Sequence, residues 1–181
     1  MRTVKTEIEG VLLLEPTLFR DERGYFLESF LAREFEREVP GVRFVQENES
    51  RSTFGVLRGL HLQAGPHAQA KLVRVVLGRV LDVAVDARAG SPTFGRHVAR
   101  ELSGENKLQL FIPRGFAHGY VVLSEEAIVQ YKCDAYYAPA SERGIRFDDP
   151  DVAIRWPLEA SRLVLSEKDK KLPSLRELIT V

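Results

Sequence analysis

The chain has 181 residues, of which 44% are hydrophobic and 29% charged, a composition typical of one folded domain and unlike that of disordered or low-complexity chains. Its 26 basic and 26 acidic side chains cancel, so it lacks the basic field that binding to nucleic acid or to a membrane surface would require. A single cysteine, Cys133, excludes an intramolecular disulfide and a multi-thiolate metal site.

The N-terminal segment predicts neither a targeting signal nor a membrane anchor. Residues 1–14 carry several charges, and their apolar run, residues 11–14, is too short for a signal-peptide core or a membrane span. We therefore expect a soluble cytoplasmic protein. No linker-like stretch divides the chain, so residues 1–181 are expected to form a single domain.

Short runs rich in β-branched and aromatic residues, separated by turn-forming residues, predict that most of the chain forms strands. Residues 80–86 alternate between an apolar face and a face that carries Asp82 and Asp86, a period of two. The Leu-Gly-Arg turn at residues 77–79 predicts a hairpin between its two flanking strands. The predicted strands are residues 10–14, 44–48, 72–76, 80–85, 98–102, 109–112, 119–123 and 127–133.

Two peripheral helices complete the predicted elements. Residues 28–39 place Leu31, Phe35 and Val39 at four-residue spacing, which gives one apolar stripe among charged side chains. Residues 174–177 form a capping-box pattern that opens a short helix. Many short strands with few helices predict the all-β class, as an antiparallel sandwich or barrel.

The polar segment at residues 55–63 contains the first candidate catalytic residue. In an extended segment, His61 and Gln63 face one side while Leu60 and Leu62 face the other. An imidazole has an unperturbed pKa of ~6.5, close to working pH, so His61 is a candidate general base. The pattern by itself is equally typical of a surface histidine or of a hydrogen-bonded core histidine.

The segment at residues 113–119 follows the pattern P-x-G-x-x-H, the second signature of cupin barrels, in which the histidine binds a metal. His118 occupies that position. The first cupin signature requires H-x-H followed by an acid, whereas this chain has Gln63 two residues after His61. Since a divalent metal held by imidazoles normally needs about three protein ligands, we expect a barrel with no bound metal.

Three further features carry candidate chemistry, each with a structural alternative. Tyr131 lies in an alternating strand, where a tyrosine most often serves packing. Lys71 opens a strand, and burying its ammonium group is costly unless an acid or an anionic ligand pairs with it. Residues 19–28 form a charged aromatic stretch that is suited to bind an anion and stack a base, and that is also typical of a solvated turn.

Taken together, these motifs resemble the dTDP-4-dehydrorhamnose 3,5-epimerase family over nearly the whole chain. The most specific segments are R-G-L-H-x-Q at residues 58–63 and I-P-x-G-F-A-H-G at residues 112–119. The resemblance implies a cupin-like jelly-roll barrel that has lost its metal, in a homodimer that exchanges N-terminal strands near residues 10–14. It implies inversion of C3 and C5 of dTDP-4-dehydro-6-deoxy-D-glucose, a dTDP-linked 4-keto-6-deoxy sugar, without a cofactor.

The resemblance also implies a role for each candidate residue. His61 matches the base and Tyr131 the proton donor, on opposite faces of the sugar. Asp169 matches the acid that orients the base, and Lys71 lies near the sugar oxygen that becomes negative. The residues matched to substrate binding are Phe19, Arg23, Phe26, Glu28, Gln46, Glu47, Asn48, Arg58, Lys71, His118, Glu142 and Lys168, and none is matched to a metal.

Three alternatives stay open at the level of sequence. An epimerase acting at C5 only or C3 only, on another nucleotide-linked 4-keto sugar, would use the same histidine, tyrosine and lysine. A metal-dependent cupin oxygenase or isomerase is disfavoured by Gln63, and metal analysis of the purified protein would decide it. A non-catalytic nucleotide-sugar binding module would have no reason to keep His61 and Tyr131 on two converging strands.

Overall fold

Strands dominate the computed structural model, which describes residues 1–178. Short 3₁₀ turns at Gly65–His67, Pro139–Ser141, Ala160–Arg162 and Asp169–Lys171 join some of the elements. The elements are β1 (Arg2–Lys5), β2 (Leu12–Glu15), β3 (Phe19–Asp21), β4 (Gly24–Phe26), α1 (Ala32–Glu38), β5 (Gln46–Thr53), β6 (Leu57–Gln63), β7 (Lys71–Leu77), β8 (Arg79–Asp86), β9 (His97–Ser103), β10 (Gln109–Ile112), β11 (Phe116–Val122), β12 (Glu126–Cys133), β13 (Glu142–Gly144) and α2 (Leu175–Leu178).

These strands form two large antiparallel sheets and one hairpin. The six-stranded sheet has the order β1-β2-β10-β7-β12-β5, and the five-stranded sheet has the order β13-β6-β11-β8-β9. Strands β3 and β4 form a separate two-stranded hairpin. Buried side chains from both large sheets share one core cluster, so the sheets face each other and enclose the interior of a barrel. The predicted all-β class and cupin-like jelly-roll barrel are confirmed.

The barrel interior changes from apolar to polar along its strands, and this change positions the site. On the inner face of β7, Val73 and Val75 are buried in the core, and Lys71 lies on the same face at the start of the strand. On β12, Val129 is fully buried in the same core and Tyr131 follows it on the same face. The polar interior therefore lies at one end of the barrel, above a packed apolar floor.

The turn predicted at residues 77–79 is present, but the predicted hairpin is wrong. Strand β7 pairs with β10 and β12, whereas β8 pairs with β9 and β11 in the other sheet. The turn therefore carries the chain from one sheet to the other. Gly78 has a φ of +75°, and a Cβ there would lie 2.0 Å from the carbonyl oxygen of Glu126, so this corner requires glycine.

The two faces that the alternation predicts for β8 are present, and the face with Asp82 lines the barrel interior. Val80, Asp82 and Ala84 are buried on the face that lines the barrel interior, while Val83 and Val85 pack in a second cluster against the C-terminal segment. Both faces of this strand are covered, because residues 145–178 lie outside the five-stranded sheet. The acidic face of the sequence pattern therefore points inward, which the alternation did not indicate.

The first predicted helix is shorter than expected, and the second is confirmed. Helix α1 begins at Ala32, because the carbonyl of Ser29 accepts a hydrogen bond from Gln109 and Phe30 packs beside Phe35 in an aromatic cluster under the sheet. Before α2, the backbone N–H of Ser174 donates to the Glu177 carboxylate at 2.7 Å, as a capping box requires.

Every predicted strand is present, with boundaries shifted by a few residues, and five additional strands occur. Strand β11 begins three residues earlier than expected, so it includes His118. The additional strands are β1, β3, β4, β6 and β13. The prediction that the strand near residues 10–14 pairs with a neighbouring subunit is wrong for β2, because β1 and β10 of the same chain occupy both of its edges.

Within residues 1–178, no helix has the length and apolar character needed to span a membrane.

Candidate active site

A polar cleft opens at the end of the barrel, between the two sheets. It consists of two adjoining cavities of about 500 and 360 Å³. Three side chains line both cavities and therefore stand where they meet: His61 from β6, Lys71 from β7 and Tyr131 from β12. A volume of this order is typical of small-molecule sites.

His61 is held by a buried carboxylate from the distant C-terminal segment. Its Nε2 lies 2.7 Å from Oδ1 of Asp169, whose side chain is almost fully buried. The backbone N–H of Gly59 donates to the other carboxylate oxygen at 3.4 Å. Burial acts to raise the pKa of Asp169, but the hydrogen bond and charge of His61, together with the hydrogen bonds from Gly59 and Ser166, outweigh burial, so the pKa falls below its ordinary value. An ionised Asp169 accepts a hydrogen bond from Nε2–H of His61. The other ring nitrogen, Nδ1, is then free of a proton and can accept one.

The C-terminal segment reaches His61 because it is tied to the start of β6. Val164 forms a parallel bridge with Val56, accepts a hydrogen bond from the N–H of Leu57 at 3.0 Å and donates to the carbonyl of Gly55 at 2.9 Å. The backbone N–H of Asp169 then donates to the hydroxyl of Ser166. These contacts place a carboxylate beside a histidine that lies 108 residues earlier in the chain.

Tyr131 and Lys71 stand on the six-stranded sheet, across the cleft from the sheet that carries His61. Burial raises the pKa of Tyr131, which keeps its hydroxyl protonated. The Nζ of Lys71 lies 5.9 Å from the centre of the Tyr131 ring and 3.5 Å from the carbonyl oxygen of His61. Burial lowers the pKa of Lys71, and no carboxylate of the described chain lies within 4.0 Å of it.

His118 lines the same cleft and is held by a second buried carboxylate. It is the direct cross-strand partner of His61, on β11. Its Nε2 lies 2.8 Å from Oδ1 of Asp82 on β8. The two histidine strands approach closely because Gly59 has no side chain, and a Cβ there would lie 2.6 Å from the Cα of Gly119.

Polar side chains of three other segments form the rim of the cleft. The Oε1 of Glu142 lies 2.5 Å from the ammonium of Lys168, and its other oxygen accepts a hydrogen bond from the hydroxyl of Tyr137 at 2.8 Å. Burial acts to raise the pKa of Glu142, but the hydrogen bonds from Lys168 and Tyr137 lower it on balance. Arg58 donates to Ser52, and the amide of Gln46 donates to Asn48.

The structure therefore gathers most of the residues singled out from the sequence. All four proposed catalytic residues line one cleft: His61, Lys71, Tyr131 and Asp169. The proposed substrate-binding residues that line it are Gln46, Asn48, Arg58, Lys71, His118, Glu142 and Lys168.

Glu47 does not line this cleft. It points to the opposite face of β5 from Gln46 and Asn48, because successive side chains of a strand alternate. There it is half exposed and forms an ion pair with Lys132 at 2.9 Å. Within one chain, Glu47 therefore lies outside the cleft, and its part in substrate binding stays a prediction.

Four other predicted binding residues lie away from the cleft. Phe19, Arg23 and Phe26 belong to the β3–β4 hairpin, where the two phenylalanine side chains are 60% and 65% exposed. Arg23 donates to Asp21 in the same hairpin. Glu28 borders a separate cavity of about 210 Å³ beside Phe19. Within one chain, these residues do not reach the cleft that contains His61.

Sequence reasoning missed Tyr120 and the part that Asp82 takes in the site. Tyr120 is buried and shares a hydrogen bond of 2.8 Å with Ser50 at the inner wall of the cleft. The signal in the sequence that could have identified Asp82 was a polar residue within the period-two pattern of a central barrel strand.

Within residues 1–178, no three histidine, cysteine or acidic side chains come together in a way that could hold a metal ion.

Known proteins provide an independent comparison. The sequence profile of the dTDP-4-dehydrorhamnose 3,5-epimerase family matches residues 5–177. The chain is 55% identical over 170 residues to the dTDP-4-dehydrorhamnose 3,5-epimerase of Shigella flexneri, covering 93% of each chain. It is 53% identical over 180 residues to that of Escherichia coli, covering 99% of this chain and 97% of the relative.

Solved structures agree with these relatives. The dTDP-6-deoxy-D-glucose-3,5-epimerase of Legionella pneumophila in complex with dTDP-4-keto-L-rhamnose superimposes with a TM-score of 0.93 at 50% identity, covering 97% of this chain and 93% of that one. A 3'-monoepimerase of Streptomyces bikiniensis in complex with dTDP-quinovose superimposes with a TM-score of 0.88 at 35% identity, covering 94% and 86%. By profile, sequence identity and structure, the chain belongs to the dTDP-4-dehydrorhamnose 3,5-epimerase family.

Proposed function

We propose that the chain inverts C3 and C5 of dTDP-4-dehydro-6-deoxy-D-glucose and so produces dTDP-4-dehydro-L-rhamnose. The observation that carries this proposal is the placement of His61 and Tyr131 on the two facing sheets of one cleft. A base on one wall and a hydroxyl donor on the other suit a reaction that removes a proton from one face of a sugar and returns a proton to the other face.

One base and one proton donor, His61 and Tyr131, can serve the inversion at C3 and the inversion at C5, because the C4 ketone acidifies the hydrogens on both carbons. His61 takes the proton as the C–H bond breaks, and the electron pair moves to the C4 oxygen to give an enolate. Tyr131 then donates its hydroxyl proton to the carbon from the opposite face, which restores the ketone with inverted configuration. Asp169 stabilises the imidazolium that forms on His61 during the first step.

Lys71 supplies the positive charge that the enolate needs. Its ammonium lies beside Tyr131 and has no carboxylate partner within 4.0 Å in the described chain, so it is available to an anionic oxygen. Burial makes this charge costly in the free protein, and the developing enolate would offset that cost only as the reaction proceeds. A preorganised charge of this kind stabilises a transition state more than the ground state.

The rim of the cleft offers a site for the dTDP portion of the substrate. Arg58 and Lys168 carry the positive charges there, and a guanidinium matches phosphate oxygens with two parallel hydrogen bonds. His118, Glu142, Gln46 and Asn48 provide hydrogen-bonding groups around the sugar. The relative from Legionella pneumophila, with dTDP-4-keto-L-rhamnose bound, supports this substrate class.

The β3–β4 hairpin completes the site from a second subunit of a homodimer in this proposal. Phe19 and Phe26 form an exposed pair whose ring centres are 6.4 Å apart, a surface suited to stack a nucleotide base. Arg23 and Glu28 lie beside them and away from the cleft of their own chain. In a dimer, the hairpin of one subunit would contact the nucleotide in the other subunit's cleft. The protein is accordingly expected to elute at about twice 20.5 kDa.

Isotope exchange tests the reaction directly. The protein is incubated with dTDP-4-dehydro-6-deoxy-D-glucose in deuterated water, and the position and configuration of incorporated deuterium are read by NMR. We expect deuterium at C3 and at C5 of an inverted product. Exchange with inversion at one carbon only would replace the proposal by a monoepimerase, and tight binding without exchange would replace it by a binding module.

A further inference from the structure

Asp82 is a fully buried carboxylate with an incomplete set of hydrogen bonds. Its Oδ1 accepts from Nε2 of His118 at 2.8 Å, while its Oδ2 is the one buried side-chain oxygen or nitrogen without a partner among residues 1–178. Asp86 lies four residues later on the same strand and is equally buried, yet Arg88, Ser91 and Thr93 all donate to its carboxylate. The comparison identifies Asp82 as the unusual member of the pair.

An unpaired buried carboxylate oxygen destabilises a folded protein, so its presence calls for an explanation. Asp82 reaches the cleft only through His118, which is 6% exposed and lines the cleft wall. The imidazole thus lies between a carboxylate and the place where the substrate binds. The ring of His118 is also 6.5 Å from that of Tyr131, the proposed proton donor.

We propose that Asp82 is a positioning residue for the epimerisation, holding the proton of His118 on Nε2 so that Nδ1 faces the substrate as a hydrogen-bond acceptor. This inference rests on the proposed function. The chemical partner of Nδ1 is a hydroxyl group of the bound nucleotide sugar, because a neutral imidazole with its proton on Nε2 can only accept at Nδ1. In this arrangement Oδ1 of Asp82 accepts the hydrogen bond from Nε2–H of His118.

The variant Asp82→Asn separates positioning from structural support. It preserves the shape of the side chain, but its amide can either accept from or donate to Nε2, so it no longer selects one tautomer of His118. We expect kcat/KM to fall by about tenfold or more, as is common when a hydrogen-bonded supporting group is removed. The midpoint of thermal unfolding should stay equal or rise, because a buried charge has been replaced by a neutral group.

Asp86→Asn is the matched control. It changes the same residue type on the same face of the same strand, but the lost carboxylate is bonded to Arg88, Ser91 and Thr93 and does not line the cleft. This control should unfold at a lower temperature while the folded protein keeps its parental kcat. A purely structural Asp82 would behave in the same way and would overturn the proposal.

Nitrogen-15 NMR of the histidine rings provides a readout that does not require turnover. The chain has four histidines, and His118 in the parental protein should show a protonated Nε2 and an unprotonated Nδ1, whereas Asp82→Asn should show a mixture. A parental His118 with its proton on Nδ1 overturns the proposal even if the variant fails to fold. If the parental protein has no epimerase activity, the proposed function fails, while the ring spectra still decide whether Asp82 holds the tautomer.

Discussion

His61 and His118 stand directly opposite each other on neighbouring antiparallel strands, and each imidazole is bonded to a buried carboxylate of its own. The partner of His61 is Asp169, from the C-terminal segment, and the partner of His118 is Asp82, from the adjacent strand β8. Two similar pairs therefore share one cleft wall. Their different surroundings allow each role to be tested by its own variants.

His61→Ala should abolish deuterium uptake at both C3 and C5. In the proposed mechanism this imidazole is the only base, and the variant leaves no oriented acceptor for either proton. NMR of the nucleotide sugar in deuterated water measures the exchange at each carbon. Normal exchange in a folded His61→Ala protein would remove this residue from the role of base.

Tyr131→Phe should uncouple exchange from inversion. The substitution removes the hydroxyl and keeps the ring, so the unfolding temperature should remain close to that of the parent. Since His61 can still form the enolate, protons at one or both carbons continue to wash out while net inversion is lost. The ratio of deuterium exchange to product formation measures this uncoupling. Inversion of both centres at the parental rate would place the proton donor elsewhere.

Asp169→Asn should lower kcat by roughly 10²-fold or more without a comparable change in KM, because a carboxylate that orients a catalytic imidazole contributes on this scale or above. The neutral amide no longer stabilises the imidazolium that forms on His61. Steady-state kinetics with the folded variant measure the effect. As a control, Lys170→Ala changes an exposed neighbour that forms an ion pair with Glu167, and its kcat should match the parent. Equal kcat values for Asp169→Asn and the parent would argue against this role.

Lys71→Met should reduce kcat by about 10²-fold and should stabilise the fold near neutral pH. Burial lowers the pKa of Lys71 in the folded state. In the unfolded chain the pKa of this lysine is ~10.4, so the unfolded chain binds the ammonium proton more tightly than the folded chain does. Parental stability should therefore rise with pH between the folded and unfolded pKa values, and the methionine variant should lack that contribution. Thermal unfolding between pH 7 and pH 10 measures the difference. A Lys71→Met protein that unfolds at a lower temperature than the parent at pH 7 would contradict it.

Mixed dimers test whether the β3–β4 hairpin acts across the subunit interface. One subunit carries His61→Ala, and the other carries Arg23→Ala with Phe26→Ala. If the hairpin serves the partner's cleft, one of the two sites in the mixed dimer is intact and about half of the parental activity returns. Two differently tagged chains are co-expressed, and the doubly tagged dimer is purified for assay. If each hairpin serves its own cleft, both sites are damaged and the mixed dimer stays inactive.

Local patterns in the sequence were sufficient to predict most of the strands and the all-β class. The capping box before α2 and the alternation of His61 and Gln63 with Leu60 and Leu62 depend only on near neighbours, and the structure confirms both. Helix α1 was predicted too long because Ser29 bonds to Gln109, which lies 80 residues away and is invisible to helical periodicity.

Family resemblance singled out the residues of the cleft, but it could not place them within one chain. It brought Phe19, Arg23, Phe26 and Glu47 together with His61 in one set of expected contacts. In the structure, strand alternation turns Glu47 outward, and the hairpin carries the other three away from the cleft. Sequence motifs identify residues that share a function, whereas the path of the backbone determines which of those residues can contact one another.

The sequence by itself determined the strand content, the polar segment around His61 and membership of an epimerase family, because these depend on residue types and their spacing. Only the tertiary structure decided that the turn at Gly78 joins two sheets, that Asp82 points into the barrel, and that Asp169 meets His61. A period of two defines two faces of a strand but not which face is inside. That choice depends on what covers each face, and the C-terminal segment that covers β8 is also the segment that delivers Asp169 to the site.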